Sequence, residues 1–106
     1  MNAQSDVSKE MSRTYGMLNT PDDGFTLRGS VLISDKGVVR HVTINDRPVG
    51  RGVDEALRLV KAFKMVDKME ADGVDGVCPA GWVEGAPTMK PDPVGKKEWF
   101  VNEFGR

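Results

Sequence analysis

The stretch Leu27-Arg28-Gly29-Ser30-Val31-Leu32-Ile33-Ser34 decides how the fold of this chain is interpreted. Its unbroken Val-Leu-Ile run indicates a strand covered on both faces, because a strand with one face in water alternates apolar and polar residues. Asp35-Lys36-Gly37 predicts a hairpin turn, and residues 38–44 predict a second, more amphipathic strand. An interior strand needs two neighbours, and the sequence offers one. Because a two-stranded sheet is marginal in water, we expect a partner chain to supply strands or the chain to belong to a larger fold.

Helices are predicted on both sides of the hairpin. Apolar residues recur every three or four positions over residues 5–18, and a clear apolar stripe runs through residues 53–65. From residue 67 onward the chain is polar and rich in glycine and proline, which predicts an extended tail that ends in a helical turn over residues 96–104. The expected architecture is helix-strand-strand-helix plus an extended C-terminal tail, with one domain at 1–66 and the tail at 67–106.

Composition excludes several classes of function. The chain has 106 residues, and its 15 Lys and Arg nearly balance 16 Asp and Glu, so no basic field attracts nucleic acid. One cysteine and one histidine cannot form an internal disulfide or a structural zinc site, and we expect no cofactor. No apolar run reaches the length of a membrane span, and the amino terminus lacks the pattern of a signal peptide. These features predict a cytoplasmic protein without membrane contact.

The single cysteine lies in an unusual stretch, Gly76-Val77-Cys78-Pro79-Ala80-Gly81-Trp82. If the chain does chemistry, Cys78 is the strongest candidate for a reactive atom, because thiolates are nucleophiles and the glycines allow the segment to move. The competing interpretation is structural: a lone cysteine commonly behaves as a small buried hydrophobic residue.

Seven motifs, taken in order, carry a resemblance to a known family. They are Leu27-Arg28-Gly29, Ile33-Ser34-Asp35-Lys36-Gly37, Asn45-Asp46-Arg47-Pro48-Val49-Gly50-Arg51, Asp54-Glu55-Ala56-Leu57-Arg58-Leu59-Val60-Lys61-Ala62-Phe63, Val77-Cys78-Pro79-Ala80-Gly81-Trp82, Thr88-Met89-Lys90-Pro91-Asp92-Pro93 and Lys97-Glu98-Trp99-Phe100. In this order they resemble the second half of the typical two-cysteine peroxiredoxins, over about residues 5–100. The resemblance implies part of a thioredoxin-like α/β fold, which is α+β in the portion represented here.

The resemblance also implies roles for three residues. Cys78 matches the resolving cysteine, whose thiol attacks the sulfenic acid formed on the peroxidatic cysteine of a partner subunit. Arg28 matches the arginine beside the peroxidatic sulfur, and Arg51 falls in the loop that supports that pocket. The implied partners are a hydroperoxide substrate, a thioredoxin-type reductant and a peroxiredoxin subunit joined through a disulfide at Cys78, in a homo- or hetero-oligomer.

The sequence departs from the family pattern at three points. The Pro-x-x-x-Thr-x-x-Cys motif of the peroxidatic cysteine does not occur, the linker over residues 69–76 is longer than usual, and Trp99-Phe100 stands where Tyr-Phe is usual. Two alternatives therefore stay open beside the peroxidase hypothesis. One is an inactive half-fold that binds a peroxiredoxin or a second copy of itself, and the other is a truncated reading frame.

Overall fold

A computed structural model describes residues 6, 8–18 and 25–105. The chain forms two compact units, residues 1–51 and residues 52–106, which are described separately. The first unit contains α1 (Glu10–Thr14), β1 (Arg28–Ile33) and β2 (Val39–Asn45). The second contains α2 (Val53–Ala71) and α3 (Pro93–Phe104). The predicted order of helix, strand, strand and helix is confirmed, with a further helix in the tail.

The first helix is much shorter than predicted. The amphipathic pattern over residues 5–18 predicts four turns, whereas α1 spans Glu10–Thr14; residues 5 and 7 lie outside the described part. Gly16 ends the helix in the left-handed conformation, with φ of 71°, as its position predicted. At the other end the Asp6 carboxylate accepts N–H groups from Met11 at 3.2 Å and Ser12 at 2.9 Å. Hydrogen bonds from Ser12 hold the pKa of Asp6 below its ordinary value.

The two strands form an antiparallel hairpin whose pairs run from Arg28 opposite Asn45 to Leu32 opposite His41. A bulge between Leu32 and Ile33 shifts the register before the turn. Both strands lie within two residues of their predicted bounds. Its apolar run predicted that β1 is covered on both faces, but most of the strand is only half-buried and Ile33 is 48% exposed. Within the described residues β2 is its only strand neighbour.

A close approach at Gly29 positions the hairpin in the first unit. Met17 is one of the buried apolar side chains, and its thioether packs directly on the backbone of β1 at Gly29. A methyl group on Gly29 would overlap Met17 Sδ and would lie 2.7 Å from its Cε. The absence of a side chain at Gly29 therefore lets the segment after α1 cover the strand.

The longest helix, α2, extends six residues beyond its predicted end at Met65. Met69 is its buried residue and packs on Gly76, where an added Cβ would lie 2.7 Å from Met69 Sδ. Gly73, two residues after the end of α2, adopts the left-handed conformation with a φ of 72°. The N–H of Val74 then donates to the carbonyl of Met69 at 2.8 Å, which closes the helix end. Part of the segment interpreted as linker is thus helical, and the predicted boundary between residues 66 and 67 falls inside α2.

The tail is not extended throughout, which corrects the predicted architecture. Residues 77–89, called the Cys78 loop below, are closed by a bridge in which Val77 and Met89 exchange backbone hydrogen bonds of 2.8 and 2.9 Å. After it α3 begins at Pro93, three residues before the predicted start at Lys96. The Asp92 carboxylate accepts the N–H groups of the first turn at 3.0 and 2.8 Å, and Pro93 occupies a position where proline stabilises a helix start.

The carboxyl-terminal helix carries a cluster of aromatic rings. Trp99 meets Phe100 and Phe104 edge-on, with ring centroids 5.0 and 5.7 Å apart. The sequence predicts that Trp82, Trp99 and Phe100 anchor the tail by burying aromatic area. Trp82 is buried and Trp99 is half-buried, but Phe100 remains 51% exposed, so the prediction is wrong for the phenylalanine. None of the described helices combines the length and the apolar character that crossing a membrane requires.

Candidate functional site

Arg28 lies at the start of β1, with its side chain exposed at one end of the hairpin. Its Nε donates a hydrogen bond of 3.2 Å to the carbonyl of Arg47, in the loop that follows β2. The guanidinium of Arg47 in turn lies 5.0 Å from the centroid of the Phe25 ring, within cation–π range. The loop after β2 thereby fixes the direction of the Arg28 side chain.

Arg51 reaches back to the same strand. Its Nη1 donates to the carbonyl of Gly29, the residue that follows Arg28. The structure therefore brings Arg28 and Arg51 to the same end of β1. Two guanidinium groups in this position can stabilise a neighbouring thiolate and donate hydrogen bonds to an oxygen-rich substrate.

Cys78 belongs to the second unit, where it lies beside the bridge that closes the Cys78 loop. The residue is half-buried, and its Sγ donates a long hydrogen bond of 3.7 Å to the carbonyl of Ala62 on α2. Burial raises the pKa of the Cys78 thiol, and the positive charge of Arg58 partly opposes this shift. In this conformation burial therefore disfavours the thiolate, which is the nucleophilic form of Cys78.

Trp82 anchors the loop that carries the cysteine. The indole is only 4% exposed, and its Nε1 donates to the carbonyl of Ala86 at 2.9 Å. The backbone N–H of Trp82 donates to the carbonyl of Pro79 at 3.0 Å, which closes a turn directly after Cys78, and Gly81 adopts the positive φ of 74° that this turn requires. The motif Cys-Pro-Ala-Gly-Trp is thus a compact turn fastened by its tryptophan.

Sequence reasoning missed Arg58 as a neighbour of Cys78. Its Nε and Nη2 make a fork to the Glu55 carboxylate at 2.7 and 2.8 Å, and its Nη1 donates to the carbonyl of Trp82 at 3.0 Å. The three-residue spacing of Glu55 and Arg58 on a helix could have indicated the ion pair. No local pattern could have indicated the contact with Trp82. Among the residues that the structure covers, no group of three or more metal-ligating side chains occurs.

Comparison with known proteins gives a consistent result. The family described as the C-terminal domain of 1-Cys peroxiredoxin matches residues 62–101. Peroxiredoxin-4 of Rattus norvegicus is 51% identical over 96 residues, which is 91% of this chain and 33% of the relative. A chloroplastic 2-Cys peroxiredoxin of Hordeum vulgare is 49% identical over 92% of this chain and 43% of the relative. The chain matches the carboxyl-terminal part of the peroxiredoxins over most of its length.

Solved structures agree with this assignment. The reduced 2-Cys peroxiredoxin of Plasmodium vivax superposes with a TM-score of 0.74 at 37% identity, over 92% of this chain and 47% of that one. A yeast mitochondrial 1-Cys peroxiredoxin, at 23% identity and a TM-score of 0.63, shares the fold. The resemblance to a thioredoxin-like peroxiredoxin fold is therefore confirmed. The chain spans between a third and a half of the length of these relatives.

Proposed function

We propose that this chain serves a peroxiredoxin-type thiol peroxidase by supplying its resolving cysteine, Cys78. One observation carries the proposal: in a chain that matches this family, the only thiol lies in a loop closed by a single backbone bridge and rests half-buried on α2. Such a loop can open locally at low cost compared with unfolding of the unit. A thiol that must reach a second sulfur needs this freedom.

The first step takes place on a peroxidatic cysteine that this chain does not contain. The thiolate of that cysteine attacks one peroxide oxygen; the O–O bond breaks, and the other oxygen leaves as water or an alcohol after taking up a proton. The sulfur is oxidised by two electrons to a sulfenic acid. Arg28 and Arg51, held at one end of β1, would favour the thiolate and donate hydrogen bonds to the peroxide.

Cys78 would complete the reaction. Its thiol loses a proton, and the thiolate attacks the sulfenic sulfur; an S–S bond forms, the S–O bond breaks, and the hydroxide leaves as water with that proton. The chain is then joined to the partner subunit by a disulfide. A thioredoxin-type dithiol reduces that bond by thiol–disulfide exchange and is itself oxidised. The same proposal includes a homo- or hetero-oligomer and the cytoplasm as the location, where reductants of this type keep thiols reduced.

The test is a mixing experiment with a peroxiredoxin whose own resolving cysteine has been replaced by serine. Hydrogen peroxide should convert the mixture to a disulfide-linked species that a non-reducing gel resolves and that dithiothreitol reverses. The Cys78→Ser chain is the matched control and should give no such band. If the unmodified chain also gives none, the resolving role is wrong.

The open side of β1 favours an alternative function. Among the described residues the strand has one neighbour, although its residues are mostly half-buried. An inactive module that pairs its sheet with a peroxiredoxin, or with a second copy of itself, would also have these properties. Size-exclusion chromatography would then show a complex with no need for peroxide, and the Cys78→Ser variant would form it equally well.

A further inference from the structure

We propose that Arg58 is a positioning residue for Cys78: it fastens the Cys78 loop to α2 through the carbonyl of Trp82, four residues after the thiol. The inference rests on the resolving role proposed for Cys78. It adds a residue to which no function is otherwise assigned.

The geometry makes Arg58 a rigid connection and not a loose surface charge. Both of its contacts with Glu55 are short, and the two parallel hydrogen bonds hold the guanidinium plane in one orientation. That orientation leaves Nη1 directed at the Trp82 carbonyl, 24 residues further along the chain. The Arg58 side chain is 25% exposed, so water competes only partly for these bonds.

A moving Cys78 must break or bend several attachments of the loop, among them an ion pair in which Lys61 Nζ on α2 lies 3.8 Å from the Glu84 carboxylate. Trp82 is buried, Cys78 Sγ donates to the Ala62 carbonyl, and Arg58 donates to the Trp82 carbonyl. The sulfur contact is weak because a thiol is a poor donor. The Arg58 contact is charge-assisted and, at 3.0 Å, shorter than the ion pair between Lys61 and Glu84, so it attaches the loop to α2 more strongly than either the ion pair or the sulfur contact.

Arg58 therefore has two opposite effects on the reaction of Cys78. Its hydrogen bond keeps the loop closed and shields the thiol, whereas its charge favours the thiolate and opposes the effect of burial. The first effect limits premature oxidation, and the second prepares the nucleophile. The dependence of thiol reactivity on pH separates the two, because shielding alters the limiting rate and charge alters the midpoint.

The experiment is alkylation of the full chain by iodoacetamide between pH 6 and 11, followed by mass spectrometry. Cys78 is the only cysteine, so every modified molecule reports this site. The thiolate displaces iodide and forms a C–S bond, with no peroxide or partner involved. The variants are Arg58→Met, which removes both charge and donors, and Arg58→Lys, which keeps the charge but cannot make the fork and the loop contact together. Lys64→Met, on the same helix and exposed, is the matched control.

We expect Arg58→Met to raise the limiting rate about fivefold, the factor that corresponds to one net hydrogen bond, and to move the midpoint to higher pH. Arg58→Lys should raise the limiting rate similarly but keep the wild-type midpoint. Lys64→Met should change neither. If Arg58→Met leaves both the limiting rate and the pH midpoint of alkylation unchanged, the proposal is overturned. If Arg58→Lys has the same midpoint as Arg58→Met, the charge of residue 58 does not influence the thiol.

Circular dichroism at 222 nm verifies that each variant keeps its helices. If Arg58→Met does not fold, Glu55→Gln replaces it, because this variant weakens the paired hydrogen bonds to Arg58 and leaves the arginine in place. Glu55→Gln should then raise the limiting rate of alkylation. Failure here is distinguishable from failure of the resolving role. Altered alkylation without a peroxide-dependent disulfide would refute the resolving role alone, and the disulfide with unaltered alkylation would refute the role of Arg58 alone.

Discussion

Replacing Gly29 by alanine should destabilise the first unit, because the new methyl group occupies the space that Met17 fills. The added Cβ would overlap Met17 Sδ and would lie 2.7 Å from Cε and 3.2 Å from Cγ. Met17 is only 8% exposed, so its side chain is held in place by its surroundings and has to leave or distort. The carbonyl of Gly29 also accepts the hydrogen bond from Arg51, so a shift of this strand reaches the arginine pair.

The magnitude follows from two opposing terms. Overpacking of a filled site costs about 1–3 kcal/mol, and displacement of a buried methionine into water costs a similar amount if it occurs instead. Alanine in a strand recovers roughly 0.5 kcal/mol relative to glycine, because the unfolded chain has less freedom. The net expectation is a loss of about 1.5 kcal/mol in the free energy of unfolding, which corresponds to roughly 13-fold in the equilibrium constant.

Native-state amide exchange in the β1–β2 ladder measures the loss of stability in the hairpin itself, where the substitution lies. The protection factors of amides that bond across the ladder, such as those of Ser30 and Thr43, should fall about 13-fold in Gly29→Ala. Gly50→Ala is the control, since an added Cβ there meets nothing within 4 Å and Gly50 has no positive φ. In a Met17→Ala background the Gly29 substitution should cost less than about 0.5 kcal/mol, because the obstructing atoms are gone. A fall of less than threefold in the single variant would refute the reasoning.

Two further predictions concern the second unit. Hydrogen bonds from the first turn of α3 keep the pKa of Asp92 below 3.8, so its carboxylate supports the helix above that pH and ceases to do so as the pH falls through the lowered value. Asp92→Ala should reduce the helical ellipticity at 222 nm at pH 7, and the variant should not lose further helical signal from α3 when the pH is lowered. An unchanged spectrum would show that Asp92 does not stabilise the start of α3. Trp82→Phe removes a buried indole hydrogen bond of 2.9 Å and part of a ring, and should cost about 2 kcal/mol in urea unfolding. Trp99→Phe should cost less, since the buried Nε1 of Trp99 has no partner in the described structure; equal costs would show that the Trp82 bond contributes nothing.

The hairpin was predicted within two residues because its signals are local. The hairpin consists of an apolar run, a turn with Gly37 at a φ of 77° and a second strand. Each of these can be recognised from a few consecutive residues. The ends of the helices were predicted less well. Residues 68–71 are good helix formers, yet the nearby glycines dominated the interpretation, and Pro93 was taken as a helix breaker when it begins α3.

The sequence likewise predicted some residues of the candidate site and missed another. Cys78 was found from its uniqueness and its motif, and Arg28 and Arg51 from the family resemblance; their roles stay predictions. Arg58 was assigned no role, because on sequence alone it is one more charged residue on the polar side of an amphipathic helix. Its importance comes from the Trp82 carbonyl, which a turn between Pro79 and Trp82 presents to it.

By itself, the sequence determined the family resemblance, the order of the elements and the one residue able to form a disulfide. Tertiary structure decided where α1 stops, how far α2 continues and what holds the thiol. Hydrogen bonds within a helix or a hairpin turn join residues a few positions apart, so short patterns predict them. The contacts of Met17 with Gly29, of Met69 with Gly76 and of Arg58 with Trp82 join separate segments, and they form only when folding brings those segments together.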